Sequence, residues 1–256
     1  GSSTQDYPGS LMGCIALIRQ TYLDAQWYKT SKSEFNISLD AFNKISNLPQ
    51  VFDVTDKQNA LRAASIGDEY KVRYLIKGGG DEYQRINEIK NTGCAFIIPV
   101  NYPDAYDLSD PWDADNISLK QLKHWELAPA NAAALNKAEI TFAFTSDGLK
   151  EKKDFIKNIR KAIDKGLTRE AALKALTQTP AELLHIQDKL GSLDAGKMAS
   201  FIITSKHVFD KDNIIYENWC NGKQYIIKDL NEIDVRGNYT LILDDRQLLK
   251  LKIGGE

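Results

Sequence analysis

The chain has 256 residues, with 33 Lys and Arg against 35 Asp and Glu, so its formal net charge is −2. This near balance argues against a general nucleic-acid binder or a protein held on anionic membranes. Apolar residues make up 43% and charged residues 27% of the chain, which is typical of folded globular proteins. No apolar run approaches the roughly 20 residues of a membrane span. We therefore expect a soluble protein of the cytoplasm or periplasm, without a signal peptide or a disulfide framework.

Helical periodicity opens the chain. Residues 1–9 are expected to be a flexible N-terminus or residues left from an expression tag. Apolar residues then recur at three- and four-residue spacing over Ser10–Ser31, which predicts a long helix. A second helix is predicted over Ser38–Asn47, with Ser38 as its N-cap.

Short, nearly all-apolar segments then alternate with helical patterns. Strands are predicted at 51–54, 72–76, 95–99 and 140–144, and helices at 57–70, 81–90, from 118, after Pro129, at 150–165 and at 168–177. Strands of this type are buried on both faces of a parallel sheet. The alternation predicts an α/β domain with right-handed crossovers over residues 10–190.

The pattern changes to β-rich from residue 191 onward. Strands are predicted at 201–203, 214–216, 225–227 and 239–243, and Asn221-Gly222 predicts a tight hairpin turn. Residues 191–256 are therefore expected to form a β-rich extension.

Functional groups in parallel α/β folds cluster beyond the carboxyl ends of the strands. This rule selects Asp53 and Thr55, Lys77, Asn101 and Asp147, which follow the four strands in turn. We expect these side chains to converge at one edge of the sheet. A salt bridge from Lys77 to Asp147 or Asp53 would then neutralise carboxylates that otherwise repel one another.

Ordinary structural interpretations compete with these functional ones. Asp56 fits an N-cap better than a catalyst, and Asp147-Gly148 also suits a simple turn. Lys77 precedes three glycines, so it is either an anion-binding residue or a solvated loop lysine. The segment lacks the spacing of a nucleotide phosphate loop. No HxH, HExxH or GxSxG occurs, so neither a histidine-rich metal centre nor a serine triad is predicted from this chain.

One long segment resembles a known family. Residues 171–184 (AALKALTQTPAELL) continue into residues 189–203 (KLGSLDAGKMASFII). This resembles the C-terminal stretch of the metal-dependent amidohydrolase superfamily, in its imidazolonepropionase-like branch, and amidohydrolase-like proteins of the Bacteroidetes type. There the stretch leads from the last barrel helix into a β-sandwich. Ser200 departs from the pattern, because the family usually has Asp there. Residues 144–148 (FTSDG) resemble the eighth-strand segment, where Asp binds metal and acts as a general base.

The resemblance implies the C-terminal half of a TIM-type (β/α)8 barrel with a β-sandwich extension. The family's first-strand HxH and fourth-strand carboxylated lysine would belong to an N-terminal half that these residues lack. Asp147 is then the expected catalytic residue and a metal ligand. Asp53 stands where the fifth-strand histidine belongs and is a second candidate ligand. Lys77, which stands in place of a sixth-strand histidine, is expected to bind substrate together with Asn101 and Thr55.

The resemblance also implies a function. The leading hypothesis is hydrolysis of a C–N bond in an amide or cyclic amide, other than a peptide bond, by metal-activated water in the full-length protein. Zinc or another divalent metal is expected there, and none in this chain alone, which we expect to be inactive. The alternative is a non-catalytic amidohydrolase-like domain that binds a small molecule or scaffolds a neighbour. Either a missing N-terminal barrel half held in the same assembly or self-association is expected. The competing possibility is an open sheet whose Asn101–Asn116 segment folds across the exposed face.

Overall fold

A computed structural model of the chain describes residues 8–31, 34–229, 236–243 and 247–254. The chain divides into two compact units, residues 1–197 and 198–256. The division falls a little beyond residue 190, where the sequence pattern changes to β-rich.

Two helices precede the first strand: α1 (Leu11–Thr30) and α2 (Ile37–Ile45). The N-cap of α2 is Asn36 rather than the predicted Ser38. The Asn36 side-chain oxygen accepts hydrogen bonds from the backbone N–H groups of Ser38 (3.0 Å) and Leu39 (3.1 Å). Asn and Ser are both good N-cap residues. Asn36 comes first in the chain and accepts the N–H groups of the first turn, so the helix starts directly after it.

Strands and helices then alternate through the first unit, as the sequence predicts. The strands are β1 (Val51–Asp53), β2 (Leu75–Lys77), β3 (Ala95–Pro99) and β4 (Phe142–Thr145). The helices are α3 (Lys57–Tyr70), α4 (Ile86–Asn91), α5 (Pro111–Asp115), α6 (Leu119–Leu127), α7 (Asn131–Lys137), α8 (Phe155–Asp164), α9 (Arg169–Leu176) and α10 (Gln178–Leu183).

Several predicted boundaries differ from the structure, including the start of the fourth strand (Phe142 rather than Ile140) and that of the helix predicted from residue 150 (Phe155). The second strand begins at Leu75 rather than Val72, because the Val72 N–H bonds the Gly67 carbonyl (2.8 Å) and so belongs to the end of α3. The helix predicted at 81–90 is divided into a 3₁₀ turn, Glu82–Arg85, and α4.

The four strands form one parallel sheet in the order β1-β2-β3-β4. The register places one continuous apolar row across it: Phe52, Ile76, Phe96 and Phe142. Of this row, Ile76 and Phe96 are fully buried. Burying a side chain of this size contributes roughly 1.5–3 kcal/mol. The same register places the residues that follow this apolar row next to one another. The carboxyl ends of the strands therefore lie side by side.

The surrounding helices bury branched apolar residues: Ile89 on α4, Leu135 on α7 and Ile159 on α8 are fully buried. A polar contact ties this layer to the sheet. The buried Asn158 side chain donates from Nδ2 to the Val100 carbonyl (2.8 Å), just beyond β3. Helix α8 thereby holds the point at which the third strand ends.

In its described residues, the second unit contains two antiparallel sheets that share no strand. One contains β5 (Phe201–Thr204), β6 (Ile215–Cys220) and β7 (Lys223–Ile226), and the other pairs β8 (Gly237–Leu243) with β9 (Gln247–Ile253). Asn221 and Gly222, at φ 50° and 78°, make the predicted turn between β6 and β7. The β-rich character is therefore confirmed, whereas a packed β-sandwich stays a prediction.

Among the described residues, no helix combines the length and the hydropathy that crossing a membrane would require.

The N-terminus of α3 provides a stability test. The Asp56 carboxylate accepts from the backbone N–H groups of Gln58 (2.8 Å) and Asn59 (3.0 Å), which confirms its capping role. Asp56→Ala should lower the free energy of unfolding by about 1 kcal/mol, measured by urea unfolding at pH 7. Asp56→Asn, which keeps an acceptor oxygen, is the matched control and should stay within a few tenths of the wild-type value.

The same cap predicts a pH dependence. The hydrogen bond from the Asn59 N–H, above all, lowers the pKa of Asp56. A lowered pKa means that the carboxylate contributes stability above the ordinary carboxyl pKa of about 3.9, and that this contribution is lost as pH falls through the lowered value. The stability advantage of Asp56 over Ala at this position should therefore shrink as the pH falls through the lowered pKa. Equal losses for the Ala and Asn variants at pH 7 would contradict the capping role.

The edges of the parallel sheet predict association. Within the described residues β1 pairs only with β2, and β4 only with β3, and Val51 on β1 is 55% exposed. Open strand edges invite pairing with another chain. We expect the purified chain to self-associate or to bind a polypeptide that completes the barrel. Light scattering tests this expectation, and a stable monomer near 28.8 kDa with no second polypeptide would contradict it.

Candidate functional site

An ammonium bridges two carboxylates at the carboxyl edge of the parallel sheet. Lys77 Nζ lies 3.0 Å from Asp53 Oδ2 and 2.5 Å from Asp147 Oδ2. The Lys77 side chain is 25% exposed, whereas those of Asp53 and Asp147 are 69% and 62% exposed. The predicted convergence of these three residues is therefore confirmed. Lys77 pairs with both carboxylates, where a salt bridge to one or the other was predicted. We call these residues the lysine cluster.

The parallel ladder builds this cluster. Asp53 and Lys77 are direct partners in the register of β1 and β2, so their side chains leave the sheet on the same face. Two backbone bonds continue the ladder past this pair: the Val54 N–H donates to the Lys77 carbonyl (2.9 Å), and the Gly78 N–H to that of Ile97 (3.0 Å). Lys77 is therefore held by strands on both sides.

The electrostatics of the cluster are mutual. Hydrogen bonding to the Lys77 ammonium, reinforced by its charge, holds the pKa of Asp147 below its usual value. Hydrogen bonds to Asp147, and next to Asp53, raise the pKa of Lys77. At neutral pH the site therefore contains a cation between two anions. Because both carboxylates face solvent, which screens their charges, each pair contributes little to stability.

Asn101 lies beside the turn that carries Asp147. Gly148 has φ 74°, a left-handed conformation that favours glycine. A methyl group at this position would overlap the side-chain amide of Asn101. The Asp147 N–H bonds Thr145 Oγ1 (3.1 Å), which closes the turn after β4. Asn101 is thus brought to the edge of the lysine cluster, as predicted.

Thr55 is oriented differently. Its hydroxyl donates to Asp56 Oδ2 (3.2 Å) and accepts from Asn59 Nδ2 (3.3 Å), so it supports the first turn of α3. The structure gives it no hydrogen bond to the lysine cluster. A substrate-binding role for Thr55 stays a prediction.

Sequence reasoning did not identify the buried carboxyl group next to the cluster. Glu82 is fully buried and receives a hydrogen bond from Asn131 Nδ2 (2.6 Å). Burial raises the pKa of Glu82, because an apolar surrounding disfavours the charged form. Nothing in the sequence distinguishes Glu82 from a solvated glutamate at the start of a helix, since its burial depends on Asn131, 49 residues away.

A separate cavity of about 580 Å³ lies by the first turns of α3 and α6. It contains the ion pair of Lys57 and Asp81 (2.7 Å). Its lining is polar, with Asp56, Arg62, Tyr106, Lys120 and His124 among its members. The lysine cluster does not line this cavity.

The donor set does not fit the divalent metal that the resemblance implies. In the part of the chain that the structure describes, no group of three His, Cys, Asp or Glu side chains could hold a metal ion. The two carboxylates nearest to such a site already share the Lys77 ammonium. A nearby cation repels a divalent ion where ligand charge controls affinity. We therefore assign no metal to these residues alone.

Lys77→Met tests the electrostatic coupling. Loss of the ammonium should raise the pKa of Asp147 towards the ordinary value of about 3.9, measured by carbon-13 NMR titration of its carboxyl group. Because a lowered carboxyl pKa stabilises the fold above the ordinary value, the variant should also be slightly less stable than wild type at pH 7.

Lys90→Met is the matched control, because Lys90 pairs with Glu139 (3.4 Å) outside the cluster. It should leave the pKa of Asp147 unchanged. An Asp147 pKa that is the same in wild type and Lys77→Met would show that the two groups are not coupled.

Comparison with known proteins supports the fold. The amidohydrolase family model matches residues 119–228. An amidohydrolase of Thermotoga maritima MSB8 superposes with a TM-score of 0.69 at 20% identity, over 85% of this chain and 56% of that one. A second amidohydrolase structure superposes with a TM-score of 0.53 at 16% identity, over 74% of this chain and 47% of that one.

One curated relative is similar over a shorter segment. It is N-acetylglucosamine-6-phosphate deacetylase of Caenorhabditis elegans, 35% identical over 72 residues, or 28% of this chain and 16% of that protein. The chain thus spans about half the length of the two solved structures and about one sixth of the deacetylase. Residues 119–228 are thus similar to the amidohydrolase family, and the parallel sheet with its helices is consistent with a partial TIM barrel.

Proposed function

We propose that the full-length protein hydrolyses a C–N bond in an amide or cyclic amide, as a member of the imidazolonepropionase-like branch. This chain supplies the C-terminal half of the barrel. The observation that carries the proposal is the position of Asp147, which lies at the carboxyl end of β4 within hydrogen-bonding distance of Lys77. Active sites of barrel enzymes lie at this end of the strands. The family match over residues 119–228 and the deacetylase relative support a hydrolase.

The cluster suggests a role for each side chain. The Lys77 ammonium, kept protonated by its carboxylate partners, stabilises negative charge on the carbonyl oxygen as water attacks. Asp147 takes a proton from that water and returns it to the departing nitrogen. Asn101 offers both a donor and an acceptor that orient the amide.

No step in this scheme passes through a metal ion. The superfamily generally uses divalent metals, but the Lys77 ammonium stands between the carboxylates that would coordinate one. In the full-length protein, metal-activated water would depend on ligands from outside these residues. Asp53 and Asp147 could then contribute only after Lys77 moves away from them.

A second candidate function has an observation of its own. A general base works best when its pKa lies near the operating pH, whereas the pKa of Asp147 is lowered by Lys77. This favours a non-catalytic domain that binds a small polar molecule or scaffolds an active neighbour. In that case the lysine cluster neutralises the strand ends without chemistry.

The full-length protein tests the two functions. Asp147→Asn should lower kcat on a responsive amide or cyclic amide by roughly 10²–10⁴-fold, the contribution of a positioned general base. Asp104→Asn is the matched control, because Asp104 is an exposed carboxylate that pairs with Lys150 (2.7 Å) outside the cluster. It should leave kcat unchanged. The isolated chain should show no turnover in the same assay.

The contradicting outcomes are specific. Full activity of Asp147→Asn would remove Asp147 from the mechanism. Saturable binding of a small amide by the full-length protein, without turnover of any amide tested, would establish the non-catalytic alternative.

A further inference from the structure

We propose that Glu82 is a positioning residue for Lys77, acting through the three-glycine turn, Gly78–Gly80, that follows β2. The inference rests on the proposed function only in taking Lys77 as a group that faces substrate. Glu82 itself is buried, and its hydrogen bonds go to Gly80 and Asn131 rather than to the lysine cluster. Its effect is on where the Lys77 backbone, and hence its ammonium, is held.

The turn wraps around the Glu82 carboxylate. The Gly80 N–H donates to Glu82 Oε1 (3.2 Å). A methyl group at Gly78 would overlap that same oxygen and would lie 2.9 Å from the carboxyl carbon Cδ. The carboxylate therefore occupies the space that a side chain at residue 78 would take, directly next to Lys77.

The opposite side of the turn packs closely against the backbone that follows β1. A methyl group at Gly79 would overlap the Thr55 carbonyl oxygen, and Gly80 has φ 87°. Residue 78 must be glycine because the Glu82 carboxylate fills the space of a side chain. Residue 79 must be glycine because the backbone after β1 lies against it. Residue 80 must be glycine because of its left-handed conformation. The KGGGD segment, which is not a phosphate loop, is explained by this close packing.

Asn131 locks the carboxylate from the other side. Its Nδ2 donates to Glu82 Oε2 (2.6 Å), while its Oδ1 accepts the Tyr83 N–H (2.8 Å). Asn131 is the first residue of α7 and is itself buried. Both Glu82 oxygens therefore have amide donors, and the side chain is held between α7 and the turn.

The balance of costs favours positioning over stability. A buried carboxyl group that is held by amide donors rather than a cation is unfavourable compared with an apolar side chain. The Glu82 carboxyl group instead fixes the geometry of the turn, because hydrogen bonds from two directions hold the turn in a single conformation. The conformation of the turn fixes the position of Lys77, because Gly78 follows Lys77 directly and its N–H bonds a carbonyl of β3.

A donor–acceptor exchange tests the proposal in the full chain. Glu82→Gln alone places an NH₂ group against the Asn131 NH₂ group, and Asn131→Asp alone places two carboxyl groups together. The double variant Glu82→Gln/Asn131→Asp restores a donor opposite an acceptor, with the second Asp oxygen still free to accept the Tyr83 N–H. The readout is the proton–nitrogen NMR signal of the Lys77 ammonium, assigned by its loss in Lys77→Met.

We expect each single variant to shift or broaden the Lys77 signal beyond recognition, and the double variant to return it to the wild-type position. Ile159→Val, a buried change on α8, controls for general loss of stability and should leave the signal in place. An unmoved signal in the single variants, a displaced signal in a folded double variant, or an equal shift in Ile159→Val would each overturn the proposal. The readout does not depend on turnover, so it separates this inference from the hydrolase proposal.

Gly78→Ala provides a second route where a buried variant fails to fold. It leaves Glu82 and Asn131 unchanged and introduces a methyl group against the carboxylate. The Lys77 signal should shift in this variant, and an unchanged signal would overturn the proposed coupling. Gly222→Ala, at a hairpin turn in the second unit with open space around it, is the matched glycine control.

Discussion

The ion pairs of Lys77 with Asp53 and Asp147 depend on one constraint, the parallel register of β1 to β4. Parallel pairing brings the carboxyl ends of all four strands to the same edge, so three charged residues far apart in the chain meet there. The apolar row through Ile76 and Phe96 secures that register, since a one-residue slip would move these side chains to the other face of the sheet. The core thus determines the geometry of the polar edge.

The identity of the central cation distinguishes this edge from a metal centre. An ammonium forms directional hydrogen bonds and carries a single charge, and here it links two carboxylates. It lowers the pKa of Asp147 and favours its anionic form. The same interaction that organises Asp147 also weakens it as a base.

The layer beneath Lys77 has a different character from the exposed ion pairs. There a buried carboxyl group, an asparagine and three glycines form a tightly packed turn, with Glu82 at its centre. Exposed ion pairs contribute little rigidity, because solvent competes for their charges. Buried hydrogen bonds lack this competition. A flexible lysine side chain is therefore placed on a rigid backbone.

The amino-acid sequence by itself determined much of this protein. The alternation of short apolar segments with helical patterns predicted the parallel sheet, and Asp53, Lys77, Asn101 and Asp147 were placed at its edge by the rule for strand ends. Asn221-Gly222 predicted its hairpin, because both residues tolerate the left-handed conformation that the turn needs. These are local signals, or consequences of a topology that local signals imply.

Only the tertiary structure decided the rest. That the hydroxyl of Thr55 supports α3, and that Asn36 caps α2, depend on which of several capable donors and acceptors come close together. The burial of Glu82 depends on Asn131, which α7 brings to it from a distant part of the chain. No sequence pattern indicates which distant residue will form a buried hydrogen bond with a given polar side chain. Its role is set by the space and the hydrogen bonds that the folded chain leaves for it.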